Sequence, residues 1–251
     1  MSHLNGKNVV ITGGTKGIGL ATARHFANAG ARVLITGSSE SSVNTALQAL
    51  PDVKGVVCDL TSMESTLTLA QLVSAHMSSV DVFFANAGIA HFLSLQEMTE
   101  ELFDEMMKVN VKGLYFSIQQ IEPLMPAGSS IIVTASIAPR KGQVGLSAYG
   151  ASKGAARAMV RNLAAELVSK DIRINCISPG PVATEIFARM SDGDEKKAQA
   201  TLDRIAASVP QGRVASPEEI AYSVEFLCGP GAEFMLGTEL TMDGGLSLIH
   251  I

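Results

Sequence analysis

Asn8-Val9-Val10-Ile11-Thr12-Gly13-Gly14-Thr15-Lys16-Gly17-Ile18-Gly19-Leu20 runs from an apolar, β-branched stretch into glycines spaced G-x-x-x-G-x-G, at 13, 17 and 19. A helical pattern follows at once. Strand, glycine turn and helix in that order begin a βαβ unit. The turn lets backbone come close to a pyrophosphate. The helix N-terminus behind it offers free N–H groups and the positive end of a dipole. An ordinary strand-to-helix turn is the alternative, and position at the first strand of an alternating chain favours a nucleotide.

Further short apolar runs lie at 33–35, 55–58, 80–85, 130–134, 173–177 and 239–242. They are rich in β-branched residues and lack alternating polar positions, as strands buried on both faces should. Helix-like segments separate them. Thr61-Ser-Met-Glu64 and Ser216-Pro-Glu-Glu219 both read as capping boxes, the second with Pro at the first helical position. Seven strands alternating with helices predict an α/β fold, a doubly wound parallel Rossmann sheet with helices on both faces. The whole chain, 1–251, reads as a single domain.

The chain has 251 residues, 47% hydrophobic and 17% charged, with a net charge of −5. Nothing in it predicts a basic face for nucleic acid or a polybasic membrane anchor. No apolar run reaches the ~20 residues that span a membrane, and the first strand begins too early for a signal peptide to precede it. Cys58, Cys176 and Cys228 lack metal spacing. They read as reduced core thiols of a cytoplasmic protein, and no metal is expected.

The second strand ends Ile35-Thr36-Gly37-Ser38-Ser39, with no carboxylate before Glu40. An acidic side chain there would hold a ribose 2′-hydroxyl and repel a 2′-phosphate. Ser38 and Ser39 leave room for the phosphate, and Lys16 can reach it from the glycine loop. A charge-assisted contact worth ~1.5–3 kcal/mol favours NADP(H), with NAD(H) as the alternative; a solvated Lys16 would leave the pocket indifferent.

Tyr149 and Lys153 stand four residues apart in an Ala- and Gly-rich helical stretch, so they share a helix face. A cation beside a phenol can lower its pKa by roughly 1–3 units. Tyr149 could then exchange a proton with a substrate oxygen. A buried tyrosine beside an exposed lysine is the alternative.

Beyond these, Cys58-Asp59-Leu60, Asn86-Ala87-Gly88, Val109-Asn110-Val111, Ser136, Pro179-Gly180 and Asp243-Gly244-Gly245 follow in order. With the glycine loop and Tyr149-x-x-x-Lys153, the set resembles the short-chain dehydrogenase/reductase family over essentially the full length. The family often has Asn where this chain has Ala85. The resemblance implies a catalytic tetrad of Asn110, Ser136, Tyr149 and Lys153. Ser136 would orient the substrate carbonyl and Tyr149 would protonate the developing alkoxide. Lys153 would hold the nicotinamide ribose, and Asn110 would hold a water linking Lys153 to solvent. It also implies a cofactor set of Gly13, Thr15, Lys16, Gly17, Ile18 and Gly19 in the loop, with Ser38 and Ser39 at the 2′-phosphate. Asp59 and Leu60 fall at the adenine, and Asn86 and Gly88 at the ribose. Pro179, Gly180, Val182 and Thr184 join Tyr149 and Lys153 at the nicotinamide. A homo-oligomer, tetramer or dimer, is implied as well, and the apolar C-terminus (244–251) would be buried in an interface.

Ligands bind beyond the carboxyl ends of parallel strands, where 91–92, 137–146 and the segment from Pro179 arrive. His91, Ala138, Leu146 and Phe187 are candidate substrate contacts. A plain loop histidine is the favoured alternative for His91, and Phe187 could simply pack lid on core. The 185–214 stretch reads as a helical lid whose apolar side suits a hydrophobic ketone. Arg140 and Lys141 could greet an acyl-carrier or CoA thioester, or be solvated. The leading expectation is an oxidoreductase moving hydride between NADP(H) and a ketone or secondary alcohol. A β-ketoacyl thioester reductase and a non-catalytic nucleotide-sensing regulator are the competing ones.

Overall fold

The computed structural model describes residues 2–184 and 195–248. Its centre is a seven-stranded sheet in the order β3-β2-β1-β4-β5-β6-β7, and every pairing is parallel. The strands are β1 (Asn8–Thr12), β2 (Arg32–Gly37), β3 (Lys54–Val57), β4 (Val82–Ala85), β5 (Ser130–Thr134), β6 (Arg173–Pro179) and β7 (Glu239–Met242). The doubly wound sheet expected from the apolar runs is therefore present. Inner strands are buried almost throughout, whereas β3 and β7, at the edges, are half exposed.

The helices are α1 (Gly17–Asn28), α2 (Glu40–Ala49), α3 (Met63–Leu67), α4 (Leu69–Ser74), α5 (Glu100–Met107), α6 (Leu114–Ile121), α7 (Ser147–Leu167), α8 (Glu195–Ser208) and α9 (Pro217–Cys228). Side chains alternate across the sheet with period two. Val9, Ile11 and Phe84 pack with Phe26 of α1 and Ile220, Val224 and Leu227 of α9. Val10 and Phe83 face the other way, onto Ile118 of α6 and Val160 and Leu163 of α7. Ser216 and Glu219 form the expected capping box at α9. The box at Thr61 does not form. Ser62 caps α3 by accepting from the Ser65 N–H at 3.2 Å, while Thr61 donates its hydroxyl to Asp59 at 2.8 Å. The competing carboxylate two residues earlier moves the helix start by one position.

The strand order reverses between β1 and β4, which opens a crevice at their carboxyl ends. The glycine loop crosses it. A Cβ on Gly13 (φ +62°) would lie 2.8 Å from Ala87 Cα. The loops after β1 and β4 therefore touch, and only glycine fits between them.

Candidate active site

The loop into α1 is shaped for close backbone approach. Gly17 also sits at positive φ, +51°, with a hypothetical Cβ 3.1 Å from Thr184 Cγ2, and a Cβ on Gly19 would collide with the Gly13 carbonyl. The N-terminus of α1 has no side-chain cap and no acidic residue in its first turn, unlike α2, α5 and α9. Its free N–H groups suit an anion. These features fit a dinucleotide pyrophosphate.

Asn86 is a brace. Its amide donates to the Thr12 and Gly13 carbonyls at 3.2 and 3.1 Å, and its oxygen accepts from Thr134 Oγ1 at 3.0 Å. The side chain thus ties together β1, the glycine loop and β5. Asp59 likewise accepts from the Thr61 amide and hydroxyl. Leu60 is buried. Ser38 and Lys16 are exposed, whereas the Ser39 hydroxyl is occupied as the cap of α2, accepting from the Ser42 N–H at 3.3 Å. Gly37 has no room for a side chain, since a Cβ there would lie 2.6 Å from Thr15 Cγ2.

A cavity of about 410 Å³ opens beyond β5 and β6. Ser136, Tyr149, Ile18, Pro179, Gly180, Val182 and Thr184 all lie on its wall. Ser136 follows β5, is buried, accepts from the Ala138 N–H at 3.1 Å, and has its hydroxyl beside the Tyr149 phenol. Burial pushes the phenol above its ordinary pKa, and the Ser136 hydroxyl acts against that rise. The expected lowering by Lys153 is not what the structure has. Lys153 shares the helix face but turns its Nζ to the Thr134 carbonyl, 2.8 Å away. Burial brings the ammonium down to about 8, because burial penalises the charged form.

Asn110 lies in a π-helical turn, Lys108–Gly113, between α5 and α6. Wide turns of this kind recur at functional sites. Its oxygen accepts from the Ile89 N–H at 2.9 Å, and its amide donates to the Ile89 carbonyl at 2.9 Å and to Ser152 Oγ at 3.0 Å. Both amide donors are spent, so the side chain holds the β4 loop to α7. A Cβ on Gly88 would lie 3.0 Å from Lys153 Nζ and 3.2 Å from Asn110 Oδ1. Gly88 therefore brings these two groups together.

Ala138 and Leu146 line the cavity, and His91 does not. His91 Nε2 pairs with Glu105 of α5 at 2.9 Å, which turns the imidazole away, and Phe92 takes the wall position. The Phe92 and Tyr149 rings meet edge to face, centroids 5.6 Å apart. Phe187 lies outside the described residues, as do 185–194 of the expected lid. The rest of that stretch includes α8, whose Ile205 and Ser208 reach the cavity. Leu246 turns inward to Ile137 and Val209, whereas Leu248 is exposed; 249–251 lie outside the described residues. Arg140 is locked, with Arg157, onto Glu239 at 2.6 Å each. Reading by residue type missed Phe92, Thr134, Ser152, Ile205 and Leu246.

A family model described as enoyl-(acyl carrier protein) reductase matches residues 13–247. The oxidoreductase asL5 of Sarocladium schorii is 37% identical over 252 residues, covering 99% of each chain. Dehydrogenase/reductase SDR family member 4 of Oryctolagus cuniculus is 33% identical, covering 96% of this chain and 94% of that one. The Pseudomonas aeruginosa RhlG/NADP active-site complex superposes with a TM-score of 0.88 at 31% identity, covering 98% of both chains. A point variant of actinorhodin polyketide ketoreductase with NADPH gives 0.88 at 30% identity, covering 99% of this chain and 100% of that one.

Proposed function

The chain belongs to the short-chain dehydrogenase/reductase family, and on that footing we propose that it is an NADP(H)-preferring carbonyl reductase acting on hydrophobic ketones. The observation that carries this reading is the placing of Ser136 and Tyr149 side by side on the wall of an otherwise mostly apolar cavity. Two hydroxyls on one cavity wall suit an oxygen that gains negative charge. Ser136 donates to the substrate carbonyl and fixes its orientation. Tyr149, kept protonated by burial, gives its proton to the same oxygen as the alkoxide forms. Lys153 places a positive charge behind Tyr149, and Asn110 holds α7 against the β4 loop. The glycine loop and the α1 N-terminus hold the pyrophosphate, with Gly88, Val182 and Thr184 near the ribose and nicotinamide. Exposed Lys16 and Ser38 take the 2′-phosphate. When bound, the nicotinamide supplies the hydride.

A second reading is a β-ketoacyl thioester reductase. Two names favour it: the family model's description and that of 3-oxoacyl-[acyl-carrier-protein] reductase FabG of Chlamydia muridarum, 32% identical. Oxidation of NADPH and NADH with an aryl ketone, a long-chain ketone, a diketone and an acetoacetyl thioester separates the readings. Turnover of free ketones with NADPH supports the first, and turnover confined to the thioester supports the second. No turnover with either cofactor, despite tight binding, would leave a nucleotide-sensing protein. A tetramer or dimer is part of the proposal, and a monomer in light scattering would remove it.

A further inference from the structure

Among the described residues, the cavity wall carries one formal charge. Among the described residues that line it, Lys141 is the only lysine or arginine, and no Asp or Glu is present. Its neighbour Arg140 is tied to Glu239. Lys141 itself has no ion pair or side-chain hydrogen bond among the described residues. It sits in the loop after the short 3-10 turn Ala138–Arg140, beside Gln143 and Val144 on the wall. It also borders a second depression of about 570 Å³, floored by Gly150, Ala151 and Gly154 of α7.

We infer that Lys141 is a specificity-determining residue that binds an anionic group carried by an apolar carbonyl substrate. The inference rests on the carbonyl-reductase reading of the cavity. A lysine stem packs along apolar surface while its head stays free. Apolar walls of low dielectric focus the field of a single cation and raise the local concentration of anions. A wholly apolar ketone would leave that charge against its own surface, whereas an anion completes it. The anion is a carboxylate or a phosphate. A terminal carboxylate on a short keto acid meets Lys141 inside the cavity. The phosphate of a longer thioester arm meets it from the α7 depression.

The test compares the wild-type chain with Lys141→Met, which keeps the stem and removes the charge, and with Lys141→Glu. The substrates are an aryl keto acid with its methyl ester, and acetoacetyl-CoA with a neutral acetoacetyl thioester. The wild type should prefer one charged member over its neutral partner by about 10- to 100-fold in kcat/KM. The preference should vanish in Lys141→Met and reverse in Lys141→Glu, with the neutral substrates unchanged. Preference within the first pair assigns the carboxylate, and within the second pair the phosphate. Equal preference in the wild type and Lys141→Met overturns the inference while leaving the carbonyl-reductase reading intact. Binding of an unreactive arylalkanoate and its amide, measured by calorimetry, gives a readout without turnover. If no ketone or thioester is reduced but the carboxylate binds in a Lys141-dependent way, the reaction assignment falls and the anion site stands.

Discussion

Tyr149→Phe removes one oxygen and little else. The ring keeps its edge-to-face contact with Phe92 and its place on the cavity wall. The structural loss is the phenol's polar interaction with the Ser136 hydroxyl, worth at most about 1 kcal/mol. For a chain of this length that lowers the melting temperature by roughly 2–4 °C. The chemical loss is far larger. A positioned general acid contributes about 10²- to 10⁴-fold, or about 3–5 kcal/mol of barrier at 1.36 kcal/mol per decade. Ketone-dependent NADPH oxidation should therefore fall by at least 100-fold. Cofactor affinity, read from nicotinamide fluorescence, should stay within a few-fold. Turnover within tenfold of wild type would refute Tyr149 as the proton donor. An equal loss of turnover and cofactor affinity would make it a positioning group instead.

Other predictions come from the same geometry. With Lys153 held near 8, the reduction rate should fall about tenfold per pH unit above that value as the ammonium loses its proton. The dependence of kcat/KM for NADPH on pH reports it, and a flat profile to pH 10 would remove Lys153 charge from the mechanism. Ser38→Asp puts a carboxylate where the 2′-phosphate is placed and should weaken NADPH by about 10-fold or more relative to NADH. Equal effects on the two cofactors would move the phosphate elsewhere. Glu239→Gln leaves Arg140 and Arg157 without their shared carboxylate and should cost roughly 2–3 kcal/mol in urea unfolding, below the fully buried figure because Arg140 is partly exposed. Burial raises the Glu239 pKa, but the Ser178 and Arg140 hydrogen bonds and both guanidinium charges outweigh it, so the net shift is down. A depressed carboxylate stabilises above its unfolded pKa and loses that contribution as pH falls through the folded value. Stability of the wild type should thus drop below about pH 4.5 more steeply than that of the variant.

The strands were legible because burial on both faces writes contiguous apolar runs into the chain, and the parallel sheet leaves few ways to connect them. The glycine loop was legible because Gly13 and Gly17 need positive φ and close contact. Tyr149 and Lys153 follow from helix periodicity, but the direction of the lysine does not. Its partner, the Thr134 carbonyl, is a backbone group that sequence does not mark. His91 and Phe92 lie in a loop with no periodicity, so nothing local says which one faces the cavity. The partner that decides it, Glu105, is fourteen residues away. Ile205 and Leu246 come from two distant segments, and only the folded chain puts them on one wall.

The central claim is that hydride passes from a nicotinamide to a carbonyl carbon while Tyr149 protonates the oxygen. NADPH deuterated at the nicotinamide C4 tests it most directly, with the alcohol product analysed by mass spectrometry. The account predicts deuterium on the carbinol carbon of the wild-type product, with product formation at least 100-fold slower in Tyr149→Phe. Cofactor that binds but transfers no deuterium to any ketone or thioester would contradict it.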